Sequence, residues 1–164
     1  MDKVLVTGAA GFIGYHVSKL LVENGYDVVG LDNMNSYYSV PLKEARLHKL
    51  HTSSKGSFHF ERLDISDSKK INTLFEEEKF DSVIHLAAQA GVRYSLKHPE
   101  PYVETNINGF FNVLESSRKH GIKHLYYASS SSVYGNQTKV PYNEEDRVDH
   151  PISMYAATKK ANEL

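Results

Sequence analysis

The apolar residues of the chain alternate between short continuous runs and longer stretches with helical spacing. Continuous runs rich in Val, Ile and Leu are typical of strands buried on both faces of a parallel sheet. They predict five strands, at residues 4–6, 27–31, 58–63, 81–86 and 122–128. Apolar residues at intervals of three and four predict the intervening helices, at residues 12–25, 41–50, 69–79, 101–120 and from about 153 onward. Strands that alternate with helices through right-handed crossovers predict an α/β fold with a doubly wound parallel sheet, in the strand order 3-2-1-4-5.

The second predicted helix begins with a proline and continues with an apolar face. Pro41 suits the first turn of a helix because its missing N–H would have no helical partner there. Leu42, Ala45, Leu47 and Leu50 supply the apolar positions. A polar, tyrosine-rich loop precedes this helix, and a turn of serine, lysine and glycine follows it.

Three glycines follow the first strand at the spacing Gly-x-x-Gly-x-x-Gly, namely Gly8, Gly11 and Gly14. Without side chains at these positions, a pyrophosphate can approach the backbone N–H groups and the positive end of the next helix. A glycine-rich turn also occurs where a strand and a helix merely pack closely. The motif therefore favours a Rossmann-type dinucleotide site only together with further evidence.

Asp32 provides that further evidence at the end of the second strand. A carboxylate at this point of a βαβ unit accepts hydrogen bonds from the ribose of adenosine. No arginine or lysine occupies residues 33–35, so we expect that a 2′-phosphate would meet a negative charge with no cation to offset it. This predicts NAD and not NADP as the cofactor, although Asp32 alone could be an ordinary loop residue.

Polar or small residues also follow the other three strands. These are Asp64 after the third, Ala87 and Ala88 after the fourth, and the serine run 129–132 after the fifth. Open α/β sheets bind ligands at the carboxyl ends of their strands. Tight packing would account for the alanines alone, and a polar loop for the serines. Their shared position at one edge of the sheet favours a ligand site.

Tyr155 and Lys159 are four residues apart on the last predicted helix, so their side chains share one face. A nearby ammonium stabilises a phenolate and lowers the pKa of the tyrosine toward the value that a general base needs. A serine hydroxyl such as that of Ser130 can orient a substrate hydroxyl. The Tyr-x-x-x-Lys spacing occurs by chance on exposed helices, but after the glycine turn and the serine run it favours oxidation of an alcohol with a nicotinamide cofactor.

Composition excludes several other classes of function. The 164 residues suffice for one domain with a real core, and 40% apolar and 24% charged residues are typical of a globular protein. The net charge of −1 and the mixing of both signs give no patch for nucleic acid or a membrane surface. The absence of cysteine excludes disulfides and thiol catalysis and suits a reducing cytoplasm.

Targeting, membrane and metal-binding features are also not expected. The chain enters its first strand without a signal peptide, and no apolar run reaches membrane-spanning length, so we expect a cytoplasmic protein. His48 and His51 are three residues apart on a helix but have no third ligand nearby. We therefore expect them on a solvated helix face, and no metal site.

These motifs together resemble the extended short-chain dehydrogenase/reductase superfamily. The resemblance rests on the glycine turn, Asp32, the strand end at residues 86–88, Ser130 with residues 133–135, and the Tyr-x-x-x-Lys motif. More narrowly, the chain resembles the NAD-dependent nucleotide-sugar epimerases and dehydratases. Residues 35–46, 90–95 and 155–160 are similar to the UDP-glucuronate 4-epimerase group.

The resemblance implies a role for each matching position. Tyr155 would be the base, Lys159 its electrostatic partner and a ribose anchor, and Ser130 the hydroxyl that orients the sugar. The implied NAD contacts come from the glycine turn and helix start, from three strand ends, from the long helix and from the last helix: Gly8, Gly11, Phe12, Ile13, Gly14, Asp32, Asp64, Ile65, Leu86, Ala87, Ala88, Ala90, Asn106, Tyr155 and Lys159.

The resemblance also implies a reaction, in which the sugar C4 is transiently oxidised and the hydride is returned to its other face. UDP-glucuronate would become UDP-galacturonate. Relatives that dehydrate the sugar carry an Asp-Glu pair just after the position of Ser130. Here Ser131 and Ser132 stand in those places, which favours epimerisation.

Members of this family are about twice as long and have two domains. We therefore expect residues 1–164 to form the NAD-binding domain, without the last strands and the substrate-binding domain, and to turn over no sugar alone. The fifth strand would then be a bare edge, which favours self-association into a homo-oligomer. A nucleotide-sugar dehydratase or reductase, and a non-catalytic NAD-binding module, remain alternatives.

Overall fold

The computed structural model describes residues 2–52 and 55–164. In that part of the chain five strands form one sheet in the order β3-β2-β1-β4-β5, and every neighbouring pair is parallel. The strands are β1 Lys3–Thr7, β2 Asp27–Asp32, β3 Ser57–Arg62, β4 Ser82–His85 and β5 His124–Tyr127. This confirms the predicted Rossmann-type fold and strand order.

Helices connect the strands across both faces of the sheet. They are α1 Phe12–Glu23, α2 Val40–His51, α3 Ser68–Glu78, α4 Val92–Ser95, α5 Glu100–Tyr102, α6 Phe110–Lys119 and α7 Met154–Glu163. A π-helical turn, Val103–Gly109, joins α5 to α6, and a 3₁₀ turn, Ser131–Tyr134, follows β5. The short helix α4 and the 3₁₀ turn were not predicted, because neither contains enough residues to show a period.

The predicted helix at 101–120 is helical throughout but not uniformly α-helical. Its first half widens into the π-helical turn, which buries Asn106 and Gly109. A Cβ on Gly109 would lie 2.6 Å from the side chain of Ile65, so the glycine lets this turn approach the loop after β3. Such π-helical turns are often found at functional sites.

The core lies on both faces of the sheet around β1 and β2, as expected for a parallel sheet. On one face Leu5 and Val29 pack with Phe75 of α3 and Val113 of α6. On the other face Val4, Val6 and Val28 pack with Val22 of α1. β5 lies at an edge, and Tyr126 on it is 60% exposed.

Helix α2 buries only part of the predicted apolar face, at Leu47 and Leu50. Leu42 and Ala45 are exposed, whereas Lys43 is buried beside Leu47 and Leu50. The hydrophobic pattern did not predict the burial of Lys43, because this lysine is paired with Asp32 in the interior. The predicted turn after α2 falls partly on residues 53 and 54, which lie outside the described residues. No helix in the described part of the chain has both the length and the apolar character needed to cross a membrane.

Candidate functional site

A cleft of about 680 Å³ lies over the carboxyl ends of the central strands. It collects eleven of the residues predicted to bind the cofactor: Gly8, Gly11, Phe12, Ile13, Gly14, Asp32, Ile65, Leu86, Ala87, Ala88 and Ala90. Asp64, Asn106, Ser130, Tyr155 and Lys159 do not line it. The glycine turn and the ends of β2 and β4 therefore converge on one cavity.

The glycine turn is held tightly against its neighbours. The N–H groups of Gly8 and Ala9 both donate to the carbonyl of Leu31, at 2.6 and 3.1 Å, which fixes the turn on β2. Gly8 has a φ of +72°, and a Cβ there would lie 2.9 Å from the nitrogen of Ala87. A Cβ on Gly14 would lie 2.1 Å from the carbonyl oxygen of Gly8. Neither position has room for a side chain.

The start of α1 faces this cleft. Gly11 is the N-cap residue and provides no side-chain hydrogen bond to the helix. The first N–H groups of a helix have no partner within it, and the helix dipole makes that end positive. Phe12, Ile13 and Gly14, the first three residues of α1, all line the cleft. This end of α1 can therefore bind an anion such as a pyrophosphate.

Asp32 ends β2 with its carboxylate in the cleft wall. Oδ1 accepts hydrogen bonds from the N–H of Met34, at 2.8 Å, and from Nζ of Lys43, at 3.1 Å. The two side chains of this ion pair are only 8% and 6% exposed. The prediction that no cation offsets the charge at this point is wrong, because α2 folds back and brings Lys43 to Asp32.

Residues 33–39, the loop between β2 and α2, form one wall of the cleft, a role that the hydrophobic pattern did not reveal. Tyr37 and Tyr38 both line the cleft. The ring of Tyr37 also packs edge-on against Tyr94 at 5.2 Å between centroids, and its hydroxyl lies beside Gly91. The loop after β2 thus reaches the loop after β4. The sequence signals for this wall were the clustering of tyrosines in a polar loop and the similarity of residues 35–46 to the UDP-glucuronate 4-epimerase group.

Asp64 does not line the cleft but holds the loop that follows β3 by hydrogen bonds. Its carboxylate accepts from Nδ2 of Asn33 at 2.7 Å and from the N–H and hydroxyl of Ser66 at 2.9 and 2.8 Å. Burial alone would raise the pKa of Asp64, but these hydrogen bonds outweigh it and hold the pKa below its usual value. The carboxylate is thus used within the protein, and the next residue, Ile65, lines the cleft.

Thr7 and His85 form a buried pair that sequence reasoning missed. The Thr7 hydroxyl oxygen accepts from the N–H groups of Leu86 and Ala87, at 3.1 and 3.0 Å, and lies 2.8 Å from Nδ1 of His85. Since its oxygen already accepts two hydrogen bonds, the hydroxyl donates its own proton to Nδ1. Burial, with a smaller effect of the nearby Lys159 charge, lowers the pKa of His85 to about 3. The pair fixes the strand end that lines the cleft.

Asn106 holds the same strand end from the π-helical turn. Its Oδ1 accepts from the N–H of Gln89 at 2.8 Å. Its Nδ2 donates to the carbonyl of Gln89 and to the hydroxyl of Thr158 on α7, at 3.1 and 3.2 Å. The amide is therefore fully used in positioning the loop and α7, and the neighbouring Thr105 lines the cleft in its place.

Lys159 joins α7 to the end of β5. Its Nζ donates to the carbonyl of Ala128 at 2.8 Å, and Ala128 lines the cleft. The residue is 5% exposed, and burial lowers its pKa to about 8. Tyr155, one turn earlier, is partly exposed, and its ring lies 6.0 Å from that of the buried Tyr102. Lys159 thus lies beyond Ala128, at the edge of the cleft, and Tyr155 is one turn earlier on the same helix.

Ser130 lies two residues after Ala128 and caps the 3₁₀ turn. Its Oγ accepts from the N–H and the hydroxyl of Ser132, at 3.2 and 2.9 Å. The proton of Ser130 is therefore free to be donated to a ligand. Helix α7 packs against this 3₁₀ turn, which brings the three predicted catalytic residues to one region. No group of three or more His, Cys, Asp or Glu side chains within residues 2–52 and 55–164 is arranged to hold a metal ion.

Comparison with known proteins gives close relatives along the whole chain. The chain is 53% identical to UDP-glucuronate 4-epimerase 3 of Arabidopsis thaliana, over 98% of its own length and 37% of that protein. It is 49% identical to the protein CapI of Staphylococcus aureus, over 99% of its length and 48% of that protein. The chain thus spans about half the length, or less, of these curated relatives.

Solved structures show the same likeness. The UDP-glucose 4-epimerase of Thermotoga maritima, crystallised with UDP-glucose, superposes with a TM-score of 0.84 at 36% identity and covers 98% of this chain and 48% of its own. The epimerase of Bifidobacterium longum, in complex with NAD⁺ and UDP, gives 0.86 at 30% identity, over 99% of this chain and 47% of its own. The model of the GDP-mannose 4,6-dehydratase family matches residues 5–164. The chain therefore belongs to this family of extended short-chain dehydrogenase/reductases, as its motifs predicted.

Proposed function

We propose that this chain is the cofactor-binding and catalytic part of an NAD-dependent nucleotide-sugar 4-epimerase that acts on UDP-glucuronate. The observation that carries the proposal is the continuity of the cleft: it runs from the glycine turn to Ala128, where Lys159 is anchored. The relatives that are named UDP-glucuronate 4-epimerases, and the solved epimerases with NAD bound, support it.

The residues of the cleft fit NAD. The glycine turn leaves no space for side chains, so the backbone N–H groups at the start of α1 are open to a pyrophosphate. Oδ1 of Asp32 is occupied by Met34 and Lys43, while its other oxygen, Oδ2, has no hydrogen-bond partner among the residues that the structure describes. That oxygen is suited to accept the hydroxyls of the adenosine ribose.

The chemistry is divided between the cofactor and three side chains. When bound, NAD supplies the group that takes a hydride from the sugar C4 and gives it back. Tyr155 removes the proton of the C4 hydroxyl and later returns it. Lys159, on the same face of α7, stabilises the phenolate by its charge. Ser130 donates its free proton to the sugar oxygen and orients it.

The serines that follow Ser130 favour epimerisation over dehydration. Ser132 is occupied as a donor to Ser130, and neither Ser131 nor Ser132 is an acid that could protonate a leaving hydroxyl. A dehydratase would need such an acid near the sugar. Analysis of the products formed from several UDP-sugars would separate an epimerase from a dehydratase or a reductase.

We also propose that residues 1–164 form an NAD-binding domain and that the nucleotide sugar is bound largely by residues outside this 164-residue sequence. The relatives are about twice as long or longer, which supports this division. We expect the pure chain to bind NAD but to turn over no UDP-glucuronate alone. In a full-length protein, Tyr155→Phe should abolish turnover and leave NAD bound. Steady epimerisation by the 164-residue chain would contradict the proposal that the sugar is bound largely by other residues. Unchanged turnover in the Tyr155→Phe variant would contradict the proposal that Tyr155 acts as a catalytic base.

Self-association remains part of the proposal. β5 is an edge strand, and Tyr126 on it and Phe111 on α6 are both well exposed. Edge strands and apolar helix faces are commonly covered by another chain. Sedimentation velocity at micromolar concentration should show a species larger than the monomer, and a sharp monomer boundary would contradict self-association.

The cytoplasmic location expected from the cysteine-free sequence also stays a prediction.

A further inference from the structure

We propose that the Asp32–Lys43 ion pair sets the choice between dinucleotides, and that Lys43 and Arg46 form a 2′-phosphate site that the charge of Asp32 keeps closed. This inference rests on the proposed NAD site. It replaces the simpler explanation, in which Asp32 repels a 2′-phosphate because no cation is nearby.

The first observation is the burial of Lys43 on the inner face of α2. Its neighbours on that face, Leu47 and Leu50, are apolar and buried. An ammonium in such a position is costly unless it is paired. Lys43 is paired with Asp32 at 3.1 Å and also donates to the carbonyl of Asn35 at 3.2 Å. The lysine is thus held at the ribose end of the cleft by the residue expected to bind the ribose.

The second observation is the place of Arg46, three residues further along α2. Its Nη1 donates to the carbonyl of Ala10, within the glycine turn, at 3.2 Å. Arg46 is partly exposed and lines the same cleft as Lys43. A guanidinium has five N–H donors, so it can bind a phosphate while it keeps this bond. Two cations, Lys43 at Asp32 and Arg46 one helical turn further along α2, therefore line the cleft against one carboxylate.

The ion pair decides which ligand these cations accept. With Asp32 charged, Lys43 is neutralised, and a 2′-phosphate would lie beside a carboxylate in a poorly solvated wall. Without that charge, the ammonium has no anionic partner among the described residues. A 2′-phosphate would then supply the missing negative charge to Lys43 and a bidentate partner to Arg46.

The test is calorimetric titration of the native chain and its variants with NAD, with NADP and with adenosine 2′,5′-bisphosphate, which probes the phosphate site without nicotinamide. Asp32→Asn keeps an oxygen for Met34 and Lys43 but removes the charge. We expect the native chain to prefer NAD, and Asp32→Asn to bind NADP and the bisphosphate about tenfold or more tighter than the native chain does. Adding Lys43→Met and Arg46→Met to Asp32→Asn should cancel the gain.

The single variant Arg46→Met provides a second test of the phosphate site, in a protein whose Asp32–Lys43 ion pair is intact. It should weaken the residual binding of NADP several-fold more than it weakens the binding of NAD, because the loss of its hydrogen bond to the carbonyl of Ala10 affects both ligands alike. The inference is overturned if Asp32→Asn binds NAD but gains nothing for NADP, if the gain survives in the triple variant, or if Arg46→Met weakens both ligands equally. If the folded native chain binds neither NAD nor NADP, the proposed function fails as well, so the two failures are distinguishable.

Discussion

The ammonium of Lys159 lies 2.8 Å from the carbonyl oxygen of Ala128, and this hydrogen bond joins the last helix to the end of the last strand. No carboxylate among the described residues forms a salt bridge with Lys159. Burial without an anionic partner lowers the pKa of this lysine from 10.5 to about 8. The position is therefore favourable for stabilising a phenolate but costly for the stability of the fold.

The cost of burying Lys159 should appear in the pH dependence of stability. The unfolded chain binds this proton more tightly than the folded chain, so stability rises with pH between about 8 and 10.5. Relative to Lys159→Met, the native chain should gain about 2 kcal/mol of unfolding free energy between about pH 7 and pH 10. Urea denaturation at both pH values measures it. A pH-independent difference between the two proteins would contradict the lowered pKa.

The buried His85 predicts a loss of stability in acid. Its pKa is lowered from 6.5 to about 3, so between these values the unfolded state takes up a proton that the folded state does not. Stability contributed by the neutral ring is present above about pH 6.5 and is lost as the pH falls. Between about pH 7 and pH 5 the native chain should lose roughly 2 kcal/mol more than His85→Gln, which cannot titrate. Equal losses in the two proteins would contradict the lowered pKa of His85.

The hydroxyl of Thr7 should matter more than its methyl group. Thr7→Val keeps the shape but leaves the N–H of Ala87 and Nδ1 of His85 without their partner. This should cost about 1–3 kcal/mol of unfolding free energy. Thr7→Ser keeps the hydroxyl and serves as the matched control, with a smaller loss from the missing methyl. If the serine variant is the less stable of the two, the hydrogen-bond account of this site is wrong.

Gly14 and Gly11 should differ in their tolerance of a methyl group. A Cβ on Gly14 would lie 2.1 Å from the Gly8 carbonyl oxygen, whereas on Gly11 the nearest contact is 3.0 Å, to the same oxygen. Gly14→Ala must displace backbone and should destabilise the chain by about 3 kcal/mol or more. Gly11→Ala requires a smaller adjustment and should cost about 1 kcal/mol. Thermal unfolding compares them, and equal midpoints would contradict the packing described for the turn.

Local sequence pattern was sufficient to predict the sheet and most of the cleft floor. The apolar runs ending at Gly8, Asp32 and Ala87 predict both the strands and the edge at which they meet. The same reasoning failed for Lys43 and His85. Lys43 breaks the apolar period of α2 because it pairs with a residue eleven positions earlier. His85 looks like an ordinary strand residue until Thr7, across the sheet, is known to hold it.

Side-chain function was predicted less completely than position. Asp64 and Asn106 are near the predicted site, but their polar atoms are occupied within the protein. They position the loops that carry Ile65 and Gln89. A motif identifies the residue type at a place in the fold, whereas the hydrogen bonds that occupy its side chain come from segments far away in sequence. That information is present only in the tertiary structure.

The most direct test of the account is the binding of NAD to the cleft of the native chain. Purified protein is first denatured to release and identify any nucleotide carried through purification, and nucleotide-free, refolded chain is then titrated with NAD in a calorimeter. The account predicts saturable binding of one NAD per chain, weakened strongly by Gly14→Ala in a variant shown by circular dichroism to be folded. Absence of bound nucleotide, together with no heat of binding at millimolar NAD for folded protein, would contradict it.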